Sequence, residues 1–152
     1  MALIFKIVRH NSDLYSQTVQ LRYEVLRRPL GLNFSSEQLA AEAEQWHLAC
    51  FEADELLACL ILHADEGGEK IKMRQVAVST VWQGKGIGKQ LCLYAEKMAR
   101  DKKAKLIYCH ARATVIAFYQ KMGYECVGSE FEEVGIPHYF MQKELKYPSN
   151  PA

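Results

Sequence analysis

The chain has 152 residues, 49% of them apolar and 24% charged, with a formal net charge of +1. That balance fits one globular domain with a normal buried core and excludes an intrinsically disordered chain. Near-neutrality without a basic stripe argues against a nucleic-acid binder, whereas a phosphorylated small molecule needs only a few local positive groups.

The five cysteines, Cys50, Cys59, Cys92, Cys109 and Cys126, are well separated, odd in number and form no C-x-x-C pair. They read as buried free thiols in a reducing compartment, so neither a disulfide framework nor a metal site is expected. No apolar run approaches the roughly 20 residues of a membrane span. Met1-Ala-Leu-Ile-Phe-Lys lacks the basic start and cleavage site of a signal peptide. A cytoplasmic protein without membrane contact is the expectation.

Residues 3–10 read as a first strand, with Ile4, Phe5, Ile7 and Val8 apolar. Asn11-Ser12-Asp13 is an N-cap cluster, and residues 14–26 follow as a helix with Leu14, Thr18, Leu21 and Val25 at helical spacing. Arg22 and Glu24 flank that stripe, and Arg27-Arg28-Pro29-Leu30-Gly31 breaks it. Ser35-Ser36-Glu37-Gln38 caps a short helix through Glu44. Strands at 46–52 and 56–63 make a hairpin, and Asp65-Glu66-Gly67-Gly68 turns the chain into a central strand at 69–78. A helix is predicted over 86–102, with Ile87, Leu91, Ala95 and Met98 buried and Glu96–Arg100 as an exposed i,i+4 pair. A short buried strand at 106–110 completes a crossover with parallel strands. Thr114 can cap a helix through Met122 that ends at Gly123, and a final hairpin pairs 124–131 with 138–145. The fold class is α+β: a mixed, mainly antiparallel sheet with a central parallel crossover and helices on both faces. Residues 1–146 are expected to form one domain and 147–152 a C-terminal tail.

The chemistry concentrates where the central strand ends. Val76-Ala77-Val78 closes the strand, and Gln83-Gly84-Lys85-Gly86-Ile87-Gly88 runs straight into the amphipathic helix. Glycines let successive backbone N–H groups converge, and a helix start adds unpaired amides and the positive end of its dipole. A strand, a glycine turn and a helix in that order therefore describe a phosphate or pyrophosphate site. Two common versions are excluded. A mononucleotide loop needs G-x-x-x-x-G-K-[ST], but Gly84-Lys85 is followed by Gly86. A dinucleotide loop needs G-x-G-x-x-G and an acid at the end of the next strand, but the third glycine comes one residue early and that strand ends in Cys109-His110-Ala111-Arg112.

What remains is Gln83-x-x-Gly86-x-Gly88 after a Val-x-Val strand, followed downstream by Phe118-Tyr119-Gln120-Lys121-Met122-Gly123-Tyr124. In order and spacing this resembles the GNAT family of acyl-CoA-dependent N-acyltransferases, most firmly over residues 73–124. Ala111-Arg112 and Gly135-Ile136-Pro137-His138 look like the small ElaA/YjcF-type branch of that family. Two positions depart from the pattern: Arg112 stands where an asparagine is usual, and Ser79-Thr80-Val81-Trp82 replaces a segment that usually carries a proline.

The resemblance implies an N-acetyltransferase that uses acetyl-CoA as co-substrate and no metal. Amides of Gly84, Gly86, Ile87, Gly88 and Lys89, behind Gln83, would grip the CoA pyrophosphate, with Lys85 or Lys89 adding charge. The pantetheine arm would lie along Val76, Ala77 and Val78, whose open backbone edge can satisfy its two amides. A backbone N–H there, such as that of Val76, could hold the thioester oxygen as negative charge develops. Tyr119 is the implied general acid for the departing thiolate, where a buried helical aromatic is the plainer role for Phe118. For the base, His138 stands first and His110 second, with Glu24 and Glu130, Glu132 and Glu133 as charge that attracts an amine; a solvated loop is the plainer reading of that acidic group. His10, His47 and His63 read as strand-end residues without partners. The acceptor is a small-molecule or peptide amine, and Arg22, Tyr23, Arg27, Arg28 and the loop to Phe34 cover the region where it would bind. A non-catalytic acyl-CoA sensor is the alternative, for which Arg112 leaves room. Sheet edges and the last hairpin offer surfaces for a homodimer.

Overall fold

A computed structural model describes residues 2–147 of the chain; the rest of the expected tail, 148–152, lies outside the described residues. The chain builds two compact units and passes between them within two strands and one helix: the described residues through His63 with Arg74–Ala95 form the first, and Ala64–Met73 with the described residues from Glu96 onward form the second.

In the first unit the strand order is β1-β2-β3-β4, with β1 at Leu3–Val8, β2 at Trp46–Glu52, β3 at Glu55–Ala64 and β4 at Lys70–Val78. β1 and β2 pair antiparallel from Leu3↔Glu52 to Val8↔His47. β2 and β3 form the expected hairpin around Ala53-Asp54, with Glu52↔Glu55 as its closing pair. Helix α1, Asp13–Arg22, starts where Ser12 accepts a hydrogen bond from the Tyr15 amide. Leu14, Val19 and Leu21 pack it onto buried Val8, Tyr15, Ala49, Phe51, Cys59 and Ala77. Each large apolar side chain so buried contributes roughly 1.5–3 kcal/mol. The helix expected over 14–26 is divided: α1 ends at Arg22, a π turn spans Tyr23–Arg27, and a 3-10 turn spans Arg28–Leu30. Pro29 explains why no regular helix continues beyond Arg28, because it lacks an N–H; the Arg28 amide reaches back five residues to the Tyr23 carbonyl. Helix α2, Ser36–Ala40, carries the capping box anticipated at Ser35 and Gln38 but is shorter than expected.

In the second unit β4 contributes its start, which pairs parallel with β5, Leu106–Arg112, from Lys70↔Leu106 to Lys72↔Tyr108. β5 is antiparallel to β8, Ile136–Glu144, along its whole length. β6, Glu125–Cys126, and β7, Phe131–Glu133, both pair with β8. The sheet is thus mixed and mostly antiparallel, with one parallel pair, as the sequence predicts. The first arm of the final hairpin is broken into β6 and β7 because Gly128, at φ +83, interrupts it. Helix α3, Ile87–Asp101, carries the chain from the first unit into the second, and helix α4, Ile116–Lys121, leads to Gly123 at φ +94.

Several local expectations are corrected. Thr114 is no cap: it sits inside a 3-10 turn, Ala113–Val115, and α4 starts without a side-chain cap. Glu96 is not exposed but 2% accessible, and its carboxylate accepts hydrogen bonds from Lys143 Nζ at 2.9 Å and Tyr124 Oη at 2.9 Å. A buried carboxylate requires such partners, and both come from residues distant in sequence. His10 and His47 do have partners, the carbonyls of Leu39 and Glu42, each at 2.9 Å. Of the cysteines, Cys50, Cys59, Cys92 and Cys109 are buried free thiols while Cys126 is exposed. Burial pushes the Cys50 thiol up to about 11 and the Cys109 thiol up to about 12, which keeps both protonated and unreactive. Tyr147, assigned to the tail, donates its hydroxyl to the Ala104 carbonyl.

Candidate active site

The first unit holds the strand end and the glycine turn. β4 ends at Val78, and a 3-10 turn, Thr80–Trp82, links it to Gln83. The Gln83 side chain donates to the Val78 carbonyl at 3.0 Å, which ties the start of the glycine turn to the end of the strand. Gln83 therefore acts on the turn's shape through its amide group. Trp82 Nε1 donates to Glu55 at 3.0 Å, and the Lys85 ammonium lies 5.1 Å from the Trp82 ring centroid, so Lys85 is drawn back over the turn. Gly84 and Gly86 have φ of +78° and +80°, a region costly to any residue with a Cβ, and open space lies where each Cβ would project.

The Gly86 carbonyl accepts the first hydrogen bond of α3, from the Gln90 amide at 3.1 Å. The amides of Ile87, Gly88 and Lys89 therefore lie in the first turn, where no intrahelical acceptor exists. Gly84, Lys85, Gly86 and Lys89 are exposed, Gly88 is half-buried and Ile87 buried, so the turn and the start of the helix border solvent. The donors, the dipole and the absence of side-chain obstruction fit an anionic pyrophosphate. Val76 and Val78 are half-buried and Ala77 is buried. The parallel register of β4 with β5 stops at Lys72, while β4 itself continues to Val78. Gly86→Ala is expected to cost about 1–2 kcal/mol of stability through the left-handed backbone alone, and to weaken CoA binding further; chemical denaturation and calorimetric titration check the two parts.

The first unit also contains a buried polar network. Arg22 is 1% and Glu42 3% exposed, and they form a two-pronged ion pair with Nη1–Oε2 at 2.8 Å and Nη2–Oε1 at 2.9 Å. Tyr15 Oη donates to the same carboxylate at 2.7 Å. Burial raises the Glu42 carboxyl, and the hydrogen bonds and charge of Arg22 with the Tyr15 hydroxyl more than reverse this, leaving it below the usual carboxylate range. Burial first, then the bond to Glu42, pushes Tyr15 up to about 12. Arg22 Nη1 also donates to Gln75 Oε1 at 2.8 Å, and Gln75 sits within β4 at φ +52°. A non-glycine residue in that region inside a strand is strained, and the Arg22 bond holds it there.

The second unit holds Tyr119, which is 6% exposed on α4 and packs edge-on against Tyr124, with ring centroids 5.5 Å apart. It also joins residues that the sequence offers separately. His110 on β5 donates from Nδ1 to Glu133 Oε1 at 3.0 Å, and His138 Nε2 lies 3.6 Å from the other oxygen of the same carboxylate. The His138 Nδ1–H donates to the Ile136 carbonyl at 2.9 Å, which leaves Nε2 as the nitrogen available for a proton. Burial raises the Glu133 carboxyl, but the His110 bond and the charges of His110, His138 and Lys72 lower it below its ordinary value. The reason for the grouping is register: Phe131 and Arg112 both lie opposite His138, and the Val134-Gly135 turn folds Glu133 back beside it. Of the remaining acids, Glu24 pairs at the surface with Arg28 at 3.2 Å and accepts from Gln20.

A family model for the GNAT acetyltransferase domain matches residues 26–145. This chain belongs to the GNAT acetyltransferase family. It is 34% identical over 101 residues to the ElaA protein of Escherichia coli, covering 65% of this chain and 66% of ElaA. An acyl-CoA N-acyltransferase from Pseudomonas aeruginosa superimposes with a TM-score of 0.77 at 25% identity, over 93% of this chain and 99% of that one. An aminoglycoside 6'-N-acetyltransferase solved with coenzyme A superimposes with a TM-score of 0.80 at 18% identity, over 97% and 99% of the two chains, which speaks for the fold.

The GNAT protein is therefore an acyltransferase by family. Among its described residues no group of three or more His, Cys, Asp or Glu could hold a metal ion, and no helix is long and apolar enough to cross a membrane. Nothing in the sequence pattern by itself places Glu42, Gln75 or Arg74 at the site. Glu42 lies in the turn just after α2, in a polar stretch whose composition suggests a solvated face, and only the partner 20 residues away discloses its burial. Gln75 carried a weak signal, as a polar residue inside an apolar strand.

Proposed function

We propose that the protein transfers an acetyl group from acetyl-CoA to a primary amine by direct attack. The carrying observation is the glycine turn, with two positive-φ glycines opening α3 and its start bound to the end of β4 through Gln83. Backbone amides of residues 84–89 would hold the pyrophosphate, and the open edge of Val76, Ala77 and Val78 would take the pantetheine amides. Acetyl-CoA supplies an acetyl group already activated as a thioester. The amine nitrogen forms its bond to the acetyl carbon as the carbon–sulfur bond breaks.

The chain's own residues then manage the protons. The ammonium of the acceptor loses one to the His110–Glu133–His138 cluster before attack. Tyr119, buried and in a tight aromatic setting, donates one to the departing sulfur, and the second nitrogen proton, shed as the amide forms, restores the Tyr119 hydroxyl. His110, 26% exposed, is the cluster's accessible member, and His138, 4% exposed at its side chain, stands behind the carboxylate. His138 acts in this scheme through Nε2, with Glu133 offsetting the charge that a proton brings.

The test is acetyl-CoA-dependent thiol release across a panel of amines, including polyamines, amino acids, aminosugars and peptide N-termini. The expected result is release with at least one amine and a product carrying one added acetyl group. Saturable stabilisation by acetyl-CoA without release for any amine would favour the non-catalytic sensor, for which Arg112 at the usual asparagine position is the motivating feature.

A further inference from the structure

A cavity of about 230 Å³ opens in the first unit, lined by Arg27, Phe34, Glu42, Gln45, Arg74 and Gln75 among others. We infer that this cavity is the acceptor pocket and that the acceptor is an amine carrying a carboxylate, held by Arg27 and Arg74. The inference rests on the acyl-transfer reading above and names the substrate class for it.

The first support is position. Arg74 and Gln75 directly precede Val76 on β4, and two residues of strand span only about 7 Å. An amine directed at a thioester beside Val76 would have its body in this cavity. The backbone is also altered to that end. Consecutive strand side chains normally face opposite sides of a sheet, yet Arg74 and Gln75 line one cavity. The break in alternation is Gln75 at φ +52°, fastened by Arg22. Irregular strand residues of this kind re-aim side chains, and they concentrate beside active sites.

The second support is charge. Glu42 is the acid in the lining, and both its oxygens are taken by Arg22, with Tyr15 on one of them. Its negative charge is matched before any ligand arrives. The lining's other formal charges are the two guanidinium groups of Arg27 and Arg74. Gln45 accepts from Arg74 Nη1 at 2.6 Å and orients it, using one of the five donors a guanidinium carries. Planar donor pairs of that kind match a carboxylate better than any neutral group.

The third support is the π turn. Residues five apart on an α-helix are rotated by about 140° from one another. The i→i+5 turn over Tyr23–Arg27 reduces that offset, and both Arg22 and Arg27 lie over the Phe34 ring, at 5.0 and 4.8 Å from its centroid. Arg27 is thereby set at the cavity wall on an aromatic support. The volume is below the roughly 300–1,000 Å³ of pockets for drug-sized ligands, which suits an amino acid or the end of a short peptide.

The test compares matched amines in the full-length protein with saturating acetyl-CoA: α-amino acids, their amides and their methyl esters, with rates corrected for the fraction of free amine. The free acids are expected to have kcat/KM about 10-fold or more above the esters, as loss of a charge-assisted contact requires. Arg74→Gln should bring that ratio close to one, Arg27→Gln should lower it, and Arg74→Lys should keep part of it. A ratio is insensitive to the fraction of folded enzyme, so a destabilised variant still reports. Esters and amides used as well as acids, or a ratio unchanged in both glutamine variants, would overturn the inference while leaving acyl transfer intact. No turnover of any amine despite acetyl-CoA binding would overturn the acyl-transfer reading, and this inference with it.

Discussion

Glu42→Ala is expected to lower the free energy of unfolding by about 3–5 kcal/mol, since removing one member of a buried ion pair strands the other. Arg22 would be left 1% exposed with its charge opposed by no carboxylate and with Nε already lacking a hydrogen-bond partner among the described residues. Tyr15 would lose its shorter hydrogen bond at the same time and keep only the Leu39 carbonyl at 3.4 Å. Of a typical domain stability of roughly 5–15 kcal/mol, this is a large share. Glu42→Gln should be milder but should reveal the linkage to pH. The folded carboxyl lies below its ordinary value of 4.5, so its contribution is fully present above that value and is lost as pH falls through the folded one. Wild-type stability should therefore fall more steeply than that of the glutamine variant as pH drops below about 5. Urea denaturation across that range measures both effects. The double change Arg22→Met with Glu42→Leu should recover much of the loss, because apolar replacement removes the desolvation cost as well as the attraction. Recovery of stability without recovery of turnover would separate the pair's structural part from its hold on Gln75.

Tyr119→Phe is expected to lower kcat by roughly 10²–10⁴-fold, the usual contribution of a positioned general acid. The substitution keeps the ring and its edge-on contact with Tyr124, so the fold should change little. Acetyl-CoA affinity should be unaffected, because no contact with the pyrophosphate is assigned to Tyr119. The loss should be largest with acetyl-CoA, whose alkyl thiolate needs the proton, and should shrink with an acetyl thioester of a more acidic thiol. Steady-state thiol release over a full pH range checks this. Unchanged turnover would remove Tyr119 from the chemistry and leave it as a buried aromatic.

Wherever local patterning decides structure, the sequence already discloses it. The strand at Trp46–Glu52, the capping box at Ser35 and Gln38, and the glycine turn into α3 depend on neighbours within a few residues. What stays hidden depends on partners distant in sequence. Glu96 looks like a surface acid until β8 brings Lys143 to it, 47 residues away. Gln75 gives no sign of its left-handed backbone, because that state is maintained by Arg22 from 53 positions away. His110, Glu133 and His138 are individually unremarkable in the sequence and become one cluster only through the pairing of β5, β7 and β8. The donor half of the candidate site is therefore a local motif, whereas the acceptor and proton-handling parts are products of tertiary register.

The central claim is that the glycine turn holds the pyrophosphate of an acyl-CoA, and calorimetric titration of the protein with CoA and with pantetheine addresses it directly. Pantetheine keeps the amides and thiol but lacks the pyrophosphate that the helix-start amides would bind. Loss of two hydrogen bonds to a charged group, at about 1.5–3 kcal/mol each, predicts binding at least ~100-fold weaker than that of CoA. Equal affinity for the two compounds, or no binding of CoA at all, would contradict the account.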